Sequence, residues 1–152
     1  MSLIPYVGRF APTPSGPLHF GSLVAALASY LDAKSHQGQW LMRIEDIDPP
    51  REQAGATQAI LQILEAFELF WDGTVMYQSQ QEERYQACVD HLLKEGLAYP
   101  CQCSRKQLKG HTVYPNSCRK NPPALGVECS IRLKTEGTFV IKDRIQGLCQ
   151  WP

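Results

Sequence analysis

Residues 6–22 have the sequence Tyr-Val-Gly-Arg-Phe-Ala-Pro-Thr-Pro-Ser-Gly-Pro-Leu-His-Phe-Gly-Ser, and this stretch decides the fold. Its first five residues have the aromatic and β-branched character of a short strand, and the prolines and glycines after them exclude a ladder or a helix until about Leu18. A helix is predicted to start at residues 20–22, so His19 lies at the positive helix end, where a phosphate is stabilised. Taken alone, such a loop with one histidine is more often a cap or a surface feature than a catalytic site.

The residues after this loop predict a βαβ unit. A helix that ends near Gly38 is followed at residues 39–44 by a near-continuous apolar run, which is typical of a buried strand. The two strands are expected to be parallel, with a right-handed crossover, and ligands of such sheets bind beyond the carboxyl ends of the strands. Arg9 and the acidic run at residues 45–48 occupy those ends. The predicted buried stripe of the helix consists of Leu23, Val24, Leu27, Tyr30 and Leu31.

Further elements are predicted along the rest of the chain. Residues 52–69 form a second helix, residues 75–78 a short strand, and Ser79 is expected to cap a third helix at residues 80–95. Residues 129–133 and 138–141 are predicted as two strands of a hairpin around Gly137. The expected inward residues are Ile60, Ile63, Leu64 and Phe67 in the second helix, and Tyr85, Cys88, Val89, Leu92 and Leu93 in the third.

The pattern divides the chain into three segments. Residues 1–98 are predicted to be the first half of a nucleotide-binding α/β domain. Residues 99–123, with cysteines, prolines and basic side chains but no sustained periodicity, are predicted to be an insertion or a small subdomain. Residues 124–152 form a short β-rich segment.

Composition and charge restrict the function. The chain has 152 residues with 15 basic and 15 acidic side chains, so any contact with RNA must be local rather than driven by net charge. No segment approaches the roughly 18 apolar residues of a membrane span, and residues 1–5 lack the pattern of a secretion signal. A cytoplasmic protein without membrane contact is expected, and its six cysteines stay reduced there.

Arg9 and Glu45 are the candidate residues for an amino-acid substrate. A guanidinium can bind carboxylate oxygens in a bidentate manner, and a carboxylate can accept hydrogen bonds from an ammonium group. From charge alone, a structural ion pair between the two residues is an equally good interpretation.

Three clustered cysteines predict a metal site. Cys101 and Cys103 are two residues apart and Cys118 follows, which supplies three of the four ligands that zinc prefers. His111 and Tyr114 are the alternatives for the fourth ligand. Chemistry alone favours His111, because a phenol must lose its proton or bind weakly. The competing interpretation is a loop of reduced cysteines without a ligand.

The full stretch resembles a known family. Arg-Phe-Ala-Pro-Thr-Pro-Ser-Gly-x-Leu-His-x-Gly resembles the first signature of class I aminoacyl-tRNA synthetases of the glutamate/glutamine group, with His19-Phe20-Gly21-Ser22 in place of His-Ile-Gly-His. Because Ser22 replaces the second histidine, one imidazole instead of two can contact ATP phosphates. His-Phe-Gly-Ser and the run Arg-Ile-Glu-Asp-Ile-Asp-Pro-Pro-Arg-Glu at residues 43–52 are similar to the glutamyl-queuosine tRNA(Asp) synthetase subgroup.

The resemblance implies a role for each matching residue. It implies a Rossmann-like parallel sheet that is incomplete in this chain. It also implies an enzyme that activates glutamate with ATP and Mg²⁺ and transfers the glutamyl group to queuosine in tRNA(Asp). It also implies a zinc-binding insertion in which Tyr114 is the fourth ligand, an N-terminal half of a longer enzyme, and a monomer. The implied residues are Arg9, Phe10, Ala11, Pro12, Thr13 and Glu45 for glutamate; Pro12, His19, Phe20, Gly21 and Ser22 for ATP, with His19 and Ser22 catalytic; and Cys101, Cys103, Tyr114 and Cys118 for Zn²⁺.

Two alternatives remain from the sequence. A conventional glutamyl-tRNA synthetase would share the signature but would more often have His-Ile-Gly, and it would charge the 3′ end of tRNA(Glu). A non-catalytic, zinc-stabilised RNA-binding module is the other alternative. Its phosphate contacts would come from the basic residues around the cysteines, which are Arg105, Lys106, Lys109, Arg119 and Lys120.

Overall fold

The structure, a computed structural model, describes residues 5–124 and 128–151. Within these ranges the chain forms two compact units that divide after Glu82. No helix of the described part is long and apolar enough to cross a membrane. Residues 1–4, which contributed to the expectation of no secretion signal, lie outside the described ranges, as do residues 125–127 and 152 of the predicted β-rich segment.

The first unit contains a parallel sheet, as the sequence predicted. Three strands lie in the order β1-β2-β3, and both neighbouring pairs are parallel. The register places Phe10 opposite Met42 and Ile44 opposite Tyr77. The elements of this unit are β1 (Val7–Phe10), α1 (Phe20–Ser35), β2 (Gln39–Ile44), α2 (Ala56–Ala66), β3 (Met76–Tyr77) and a 3₁₀ helix (Gln78–Gln81).

Helix α1 packs on the sheet through two buried alanines, and the predicted stripe is partly right, because Leu23 and Tyr30 are half-buried against the core. Ala26 and Ala33 are fully buried, whereas Leu27 and Leu31 are 46% and 56% exposed. A Cβ added to Gly8 of β1 would lie 3.1 Å from the Cβ of Ala33. Because helix and strand approach this closely, only small side chains fit between them.

The core of the first unit lies between the sheet and the two helices. Trp40, Met42 and Ile44 alternate along β2 and are buried, and Ile60 and Leu64 of α2 join the same cluster. The indole N–H of Trp40 donates a hydrogen bond of 3.0 Å to Oγ of Ser29 in α1. The buried face of the strand is therefore apolar and packs against both helices, and the indole N–H within it has a hydrogen-bond partner.

Helix α2 is shorter than predicted at both ends. The Glu52 N–H donates to carbonyls of Asp48 and Pro49, so these residues form a turn, and Gly55 with φ of 79° precedes the helix. At the other end Phe67 is the C-cap and is exposed, and Leu69 is buried in its place. Proline and left-handed glycine at the start explain why the apolar period does not extend to residue 52.

The second unit is built from short elements. Strand β4 pairs with β5 antiparallel, and β6 pairs with β7 antiparallel. Its elements are α3 (Glu82–Lys94), β4 (Ala98–Cys101), α4 (Arg105–Leu108), α5 (Ser117–Lys120), β5 (Ser130–Leu133), β6 (Phe139–Asp143) and β7 (Gly147–Trp151).

The hairpin predicted around Gly137 is wrong. Strand β5 pairs with β4, which is buried along its whole length, and the Lys134 N–H extends this ladder to the Leu97 carbonyl at 2.8 Å. The hairpin of this region instead joins β6 to β7, where the Asp143 carboxylate accepts hydrogen bonds from two turn N–H groups. An aspartate that satisfies turn donors in this way is a local turn signal stronger than an isolated glycine.

The predictions for the third helix are also partly wrong. Ser79 does not cap it, because Ser79 lies in the 3₁₀ helix and its hydroxyl donates to Asp46 at 2.6 Å. Helix α3 begins at Glu82, and Cys88 on it is exposed. The helix has no fully buried residue, so its apolar positions are only half covered within the described residues.

Candidate functional site

The loop between β1 and α1 ends in a capped helix start. His19 is the N-cap of α1 in an extended conformation, and its Nδ1 accepts a hydrogen bond of 3.2 Å from the Ser22 N–H. The Ser22 hydroxyl lies 3.0 Å from the second ring nitrogen, Nε2. Both residues are exposed or half-exposed at the positive end of a 16-residue helix. The arrangement places an imidazole, a hydroxyl and helix N–H groups where an anion is stabilised.

Gly21 makes room for this imidazole. A Cβ at Gly21 would lie 3.1 Å from Cε1 and 3.2 Å from Nδ1 of His19. The histidine ring folds back over the first turn of the helix because the glycine has no side chain there. The spacing His-x-Gly is therefore a packing requirement of the cap as well as a sequence signature.

Backbone hydrogen bonds hold the loop against the end of strand β2. The Glu45 N–H donates to the Pro12 carbonyl at 3.0 Å, and the Gln53 N–H donates to the Pro14 carbonyl at 3.0 Å. Prolines supply the fixed φ angles between these anchor points. The loop is thus tied at Pro12 to the acidic strand end and at Pro14 to the turn that precedes α2.

A cavity of about 430 Å³ lies inside this loop. Apart from His19, its one basic side chain is that of Arg51, whose Nε donates to Asp48 at 2.6 Å. Arg51 has no function that the sequence predicts, because it lies about 30 residues after the loop and only the fold places it beside the loop cavity. The cavity is lined by Phe10, Ala11, Pro12, Thr13, Ser15, Gly16, Pro17, Leu18, His19, Gly21, Ser22, Ala25 and Arg51.

Arg9 and Glu45 do not form the ion pair that was the alternative interpretation. Glu45 pairs instead with Arg43, Nη2 to Oε1, at 2.5 Å. The Arg9 side chain is exposed, and among residues 5–124 and 128–151 it has no hydrogen bond or ion pair. A guanidinium of this kind at the end of a strand can accept a carboxylate without first giving up a protein partner.

The neighbouring acidic residues stabilise the strand end. Asp46 accepts hydrogen bonds from the Ser79 N–H at 2.9 Å and the Ser79 hydroxyl at 2.6 Å. Burial opposes ionisation, but these hydrogen bonds hold the pKa of Asp46 below its usual value of 3.8. Of the acidic run, Asp46 therefore has a structural role, and Asp48 orients Arg51.

In the second unit, three cysteines and one tyrosine converge. The sulfur atoms of Cys101, Cys103 and Cys118 all lie within 4.8 Å of one another. The Tyr114 hydroxyl is 3.2 Å from the sulfur of Cys101 and 3.5 Å from that of Cys103. His111 does not belong to this cluster among the described residues.

Local structure brings these four side chains together. Cys101 is the buried end of β4, and a capping box formed by Ser104 turns the chain into α4 directly after Cys103. Asn116, with φ of 60°, reverses the chain so that α5 presents Cys118, whose N–H donates to the Tyr114 hydroxyl at 3.1 Å. A capped short helix and a left-handed residue before the next one thus determine the positions of the donor atoms.

The titration of these groups differs within the cluster. Burial favours the neutral thiol of Cys101, but interactions with Tyr114, the Cys103 backbone and Arg132 outweigh burial and lower the pKa of Cys101 to about 6. Burial and hydrogen bonds to Cys101 and Cys103 raise the pKa of the Tyr114 phenol. A thiolate is therefore already favoured at Cys101, which is the state that binds a metal ion.

The donor set fits a tetrahedral metal ion. Sulfur ligands at about 2.3 Å from zinc stand about 3.8 Å apart at the corners of a tetrahedron. The sulfur atoms of Cys103 and Cys118 are 3.5 Å apart, and the Tyr114 oxygen lies at similar distances from two sulfur atoms. Modest movement of the four side chains would accommodate such an ion. The basic side chains around the cluster are mostly exposed, except that Arg119 pairs with Glu136 at 2.6 Å.

Comparisons with known proteins agree with this geometry. Residues 6–136 match the family described as tRNA synthetases class I (E and Q), catalytic domain. A glutamyl-Q tRNA(Asp) synthetase of Pseudomonas entomophila is 58% identical over 144 residues, which cover 93% of this chain and 48% of that protein. One of Vibrio vulnificus is 63% identical over 116 residues, which cover 76% of this chain and 38% of that protein. The chain thus spans about half the length of these relatives or less.

Solved structures show the same fold. A crystal structure of a glutamate tRNA ligase from Elizabethkingia meningosepticum, in complex with its amino acid, matches with a TM-score of 0.76 at 26% identity. The match covers 95% of this chain and 36% of that ligase. A glutamate-tRNA synthetase from Elizabethkingia anophelis matches with a TM-score of 0.77 at 25% identity, covering 97% of this chain and 37% of the other.

Proposed function

The chain belongs to the class I tRNA synthetase family of the glutamate and glutamine type, and from this premise we propose that it activates glutamate with ATP and serves glutamyl transfer to queuosine in tRNA(Asp). The observation that carries the proposal is the helix start at His19 and Ser22, which faces the cavity of the Pro-rich loop. At the adjoining strand end, Arg9 has no ion pair within the part of the chain that the structure describes. The chain spans about half the length of its relatives, so the proposal assigns to it the first part of the site.

Glutamate would be held at the strand ends. The Arg9 guanidinium would bind a substrate carboxylate in a bidentate manner, and Glu45 would accept hydrogen bonds from the ammonium group. Arg43 holds the Glu45 carboxylate in place, since the two pair at 2.5 Å. Phe10, Ala11, Pro12 and Thr13 line the adjoining cavity, which supports their proposed part in the same pocket.

The first reaction would be activation of glutamate. A carboxylate oxygen of glutamate attacks the α-phosphorus of ATP, the bond to the bridging oxygen breaks, and pyrophosphate leaves. The charge that develops on the phosphates would be stabilised by His19, by the Ser22 hydroxyl, by the N–H groups of the α1 start and by Arg51. No side chain needs to act as a nucleophile. The acyl group then passes to a hydroxyl oxygen of the acceptor, and AMP leaves.

The acceptor is proposed from the relatives. Proteins named glutamyl-Q tRNA(Asp) synthetase are 58% and 63% identical to this chain, whereas the glutamate tRNA ligases are 25–26% identical. The large difference in identity favours the queuosine base of tRNA(Asp) over the 3′ end of tRNA(Glu). The proposed reaction takes place in the cytoplasm, because its tRNA, ATP and glutamate substrates are there.

The cysteine cluster is proposed to hold a structural zinc ion. Cys101, Cys103 and Cys118 would supply thiolates and Tyr114 the fourth ligand, since its oxygen lies among the sulfur atoms and His111 does not join them. The bound metal would contribute folding free energy to this segment, which otherwise has only short elements. It would take no part in the chemistry at the α1 start.

The proposal is tested by supplying labelled glutamate and ATP to the full natural protein with three RNAs. These are tRNA(Asp) with queuosine, the same tRNA with guanosine at that position, and tRNA(Glu). Label is expected only on the first, and nuclease digestion should locate it in the anticodon-loop fragment rather than on the terminal adenosine.

Controls separate the possible failures. Arg9→Gln should abolish labelling, whereas Lys34→Gln, an exposed cation that pairs with Asp72, should not. Label on the terminal adenosine of tRNA(Glu) would identify a conventional glutamyl-tRNA synthetase. The absence of label on every RNA, together with no glutamate-dependent pyrophosphate exchange, would contradict the proposed activity.

A further inference from the structure

Arg132 contacts the cysteine cluster from the neighbouring strand. The antiparallel pairing of β4 and β5 places Arg132 opposite Tyr99, two residues before Cys101. Its guanidinium carbon lies 4.6 Å from the centroid of the Tyr114 ring, and its charge helps to lower the pKa of Cys101. One side chain of β5 thus contacts one proposed metal ligand and acts electrostatically on a second.

We propose that Arg132 is a positioning residue of the metal site, which orients Cys101 and Tyr114 and compensates the negative charge of the liganded cluster. The inference rests on the proposed zinc ion. Three thiolates around a divalent ion leave an excess of one negative charge, and a phenolate would add another. A fixed cation that contacts Tyr114 beside the cluster stabilises that charge without displacing a ligand.

The chemistry of arginine suits this position. Its planar, delocalised guanidinium can lie over the face of the Tyr114 ring while its charge faces the cluster. A lysine ammonium keeps the charge but has no plane to stack on the ring. The Nε atom of Arg132 is buried without a hydrogen-bond partner among the described residues, and the contact of the guanidinium is with the face of the Tyr114 ring.

Other nearby cations have different partners. Arg119, next to Cys118 in the chain, donates to the Thr135 carbonyl at 3.1 Å and pairs with Glu136 at 2.6 Å. Lys134, two residues after Arg132, is exposed. The sequence does not predict this role for Arg132, because the residue lies outside the Cys-rich segment. Only the pairing of β5 with β4 brings Arg132 to the cluster.

The test compares Arg132→Met, Arg132→Lys and the matched charge-removal control Lys134→Met in the full natural protein. Zinc content is measured first, and zinc affinity is then measured by competition with a chromogenic chelator. Loss of a residue that orients metal ligands typically weakens binding about 10–100-fold, so Arg132→Met should fall in that range. Arg132→Lys should be intermediate, and Lys134→Met should bind like the parent.

Cobalt substitution gives a second readout. The thiolate-to-cobalt charge-transfer band should shift in both Arg132 variants, because the positive charge beside the ligands is removed or displaced, and should not shift in Lys134→Met. If Arg132→Met does not fold, the lysine variant decides by the same two measurements. Parental affinity and an unshifted band in the Arg132 variants would overturn the inference while leaving the zinc proposal intact. A parent protein without stoichiometric zinc would instead contradict the metal site itself, and the inference with it.

Discussion

His19 combines a structural and a proposed catalytic role, and two substitutions can separate them. The imidazole caps α1 by accepting the Ser22 N–H at 3.2 Å, and it faces the cavity in which ATP phosphates would lie. Asparagine is a preferred N-cap and can accept the same N–H, whereas alanine cannot. His19→Asn therefore retains the cap and removes the imidazole, and His19→Ala removes both.

The two substitutions should differ in stability but not in activity. Loss of an N-cap costs about 1 kcal/mol, so His19→Ala should lower the free energy of unfolding by that amount and His19→Asn by much less. Loss of a group that stabilises developing phosphate charge typically lowers the rate about 10²–10³-fold, or about 3–4 kcal/mol. Both variants should therefore lose that much in kcat, with a smaller change in KM.

Glutamate-dependent pyrophosphate exchange measures the rate, and urea unfolding measures the stability, both on the full natural protein. An exchange rate in His19→Asn equal to that of the parent would show that the histidine is only a cap. The same conclusion would follow if only His19→Ala lost exchange activity and the loss matched the fraction of that variant that is unfolded. Either result would refute the proposed contribution of the imidazole to phosphate stabilisation.

Two further predictions concern the metal site and the strand end. The Cys103→Ser variant should lack stoichiometric zinc in metal analysis and should be cleaved more readily by proteases within residues 99–123. Tyr114→Phe should weaken zinc binding more than His111→Ala does. The reverse order would assign the fourth ligand to His111. Asp46→Asn should lower the free energy of unfolding at neutral pH, because the pKa of Asp46 is depressed in the folded state. The stabilisation by the carboxylate is complete above its ordinary pKa of 3.8 and is lost as the pH falls through the lower folded value, so the parent and Asp46→Asn should converge in acid. A difference between them that is constant with pH would contradict this assignment.

The sequence by itself determined the first βαβ unit and the position of its loop. The strand bounds of β2 and the start of α1 agree with the prediction, because prolines fix φ locally and glycines interrupt regular elements whatever the rest of the chain does. The candidate ligands Cys101, Cys103, Tyr114 and Cys118 were also identified from spacing and resemblance, and they lie together. These features depend on residues close in the chain, or on a motif long enough to be specific.

Only the tertiary structure decided which faces are buried and which strands pair. Helix α1 buries Ala26 and Ala33 completely while Leu27 and Leu31 are exposed, and the close approach of Gly8 leaves no room for a side chain larger than alanine at position 33. Strand β5 pairs with β4 across about 30 residues, and this non-local pairing brings Arg132 to the cysteine cluster. Ser79 donates hydrogen bonds to Asp46 instead of capping a helix, which is again a contact between residues distant in the chain. Contacts between residues distant in the chain depend on the packing of whole elements, and a local pattern contains no information about that packing.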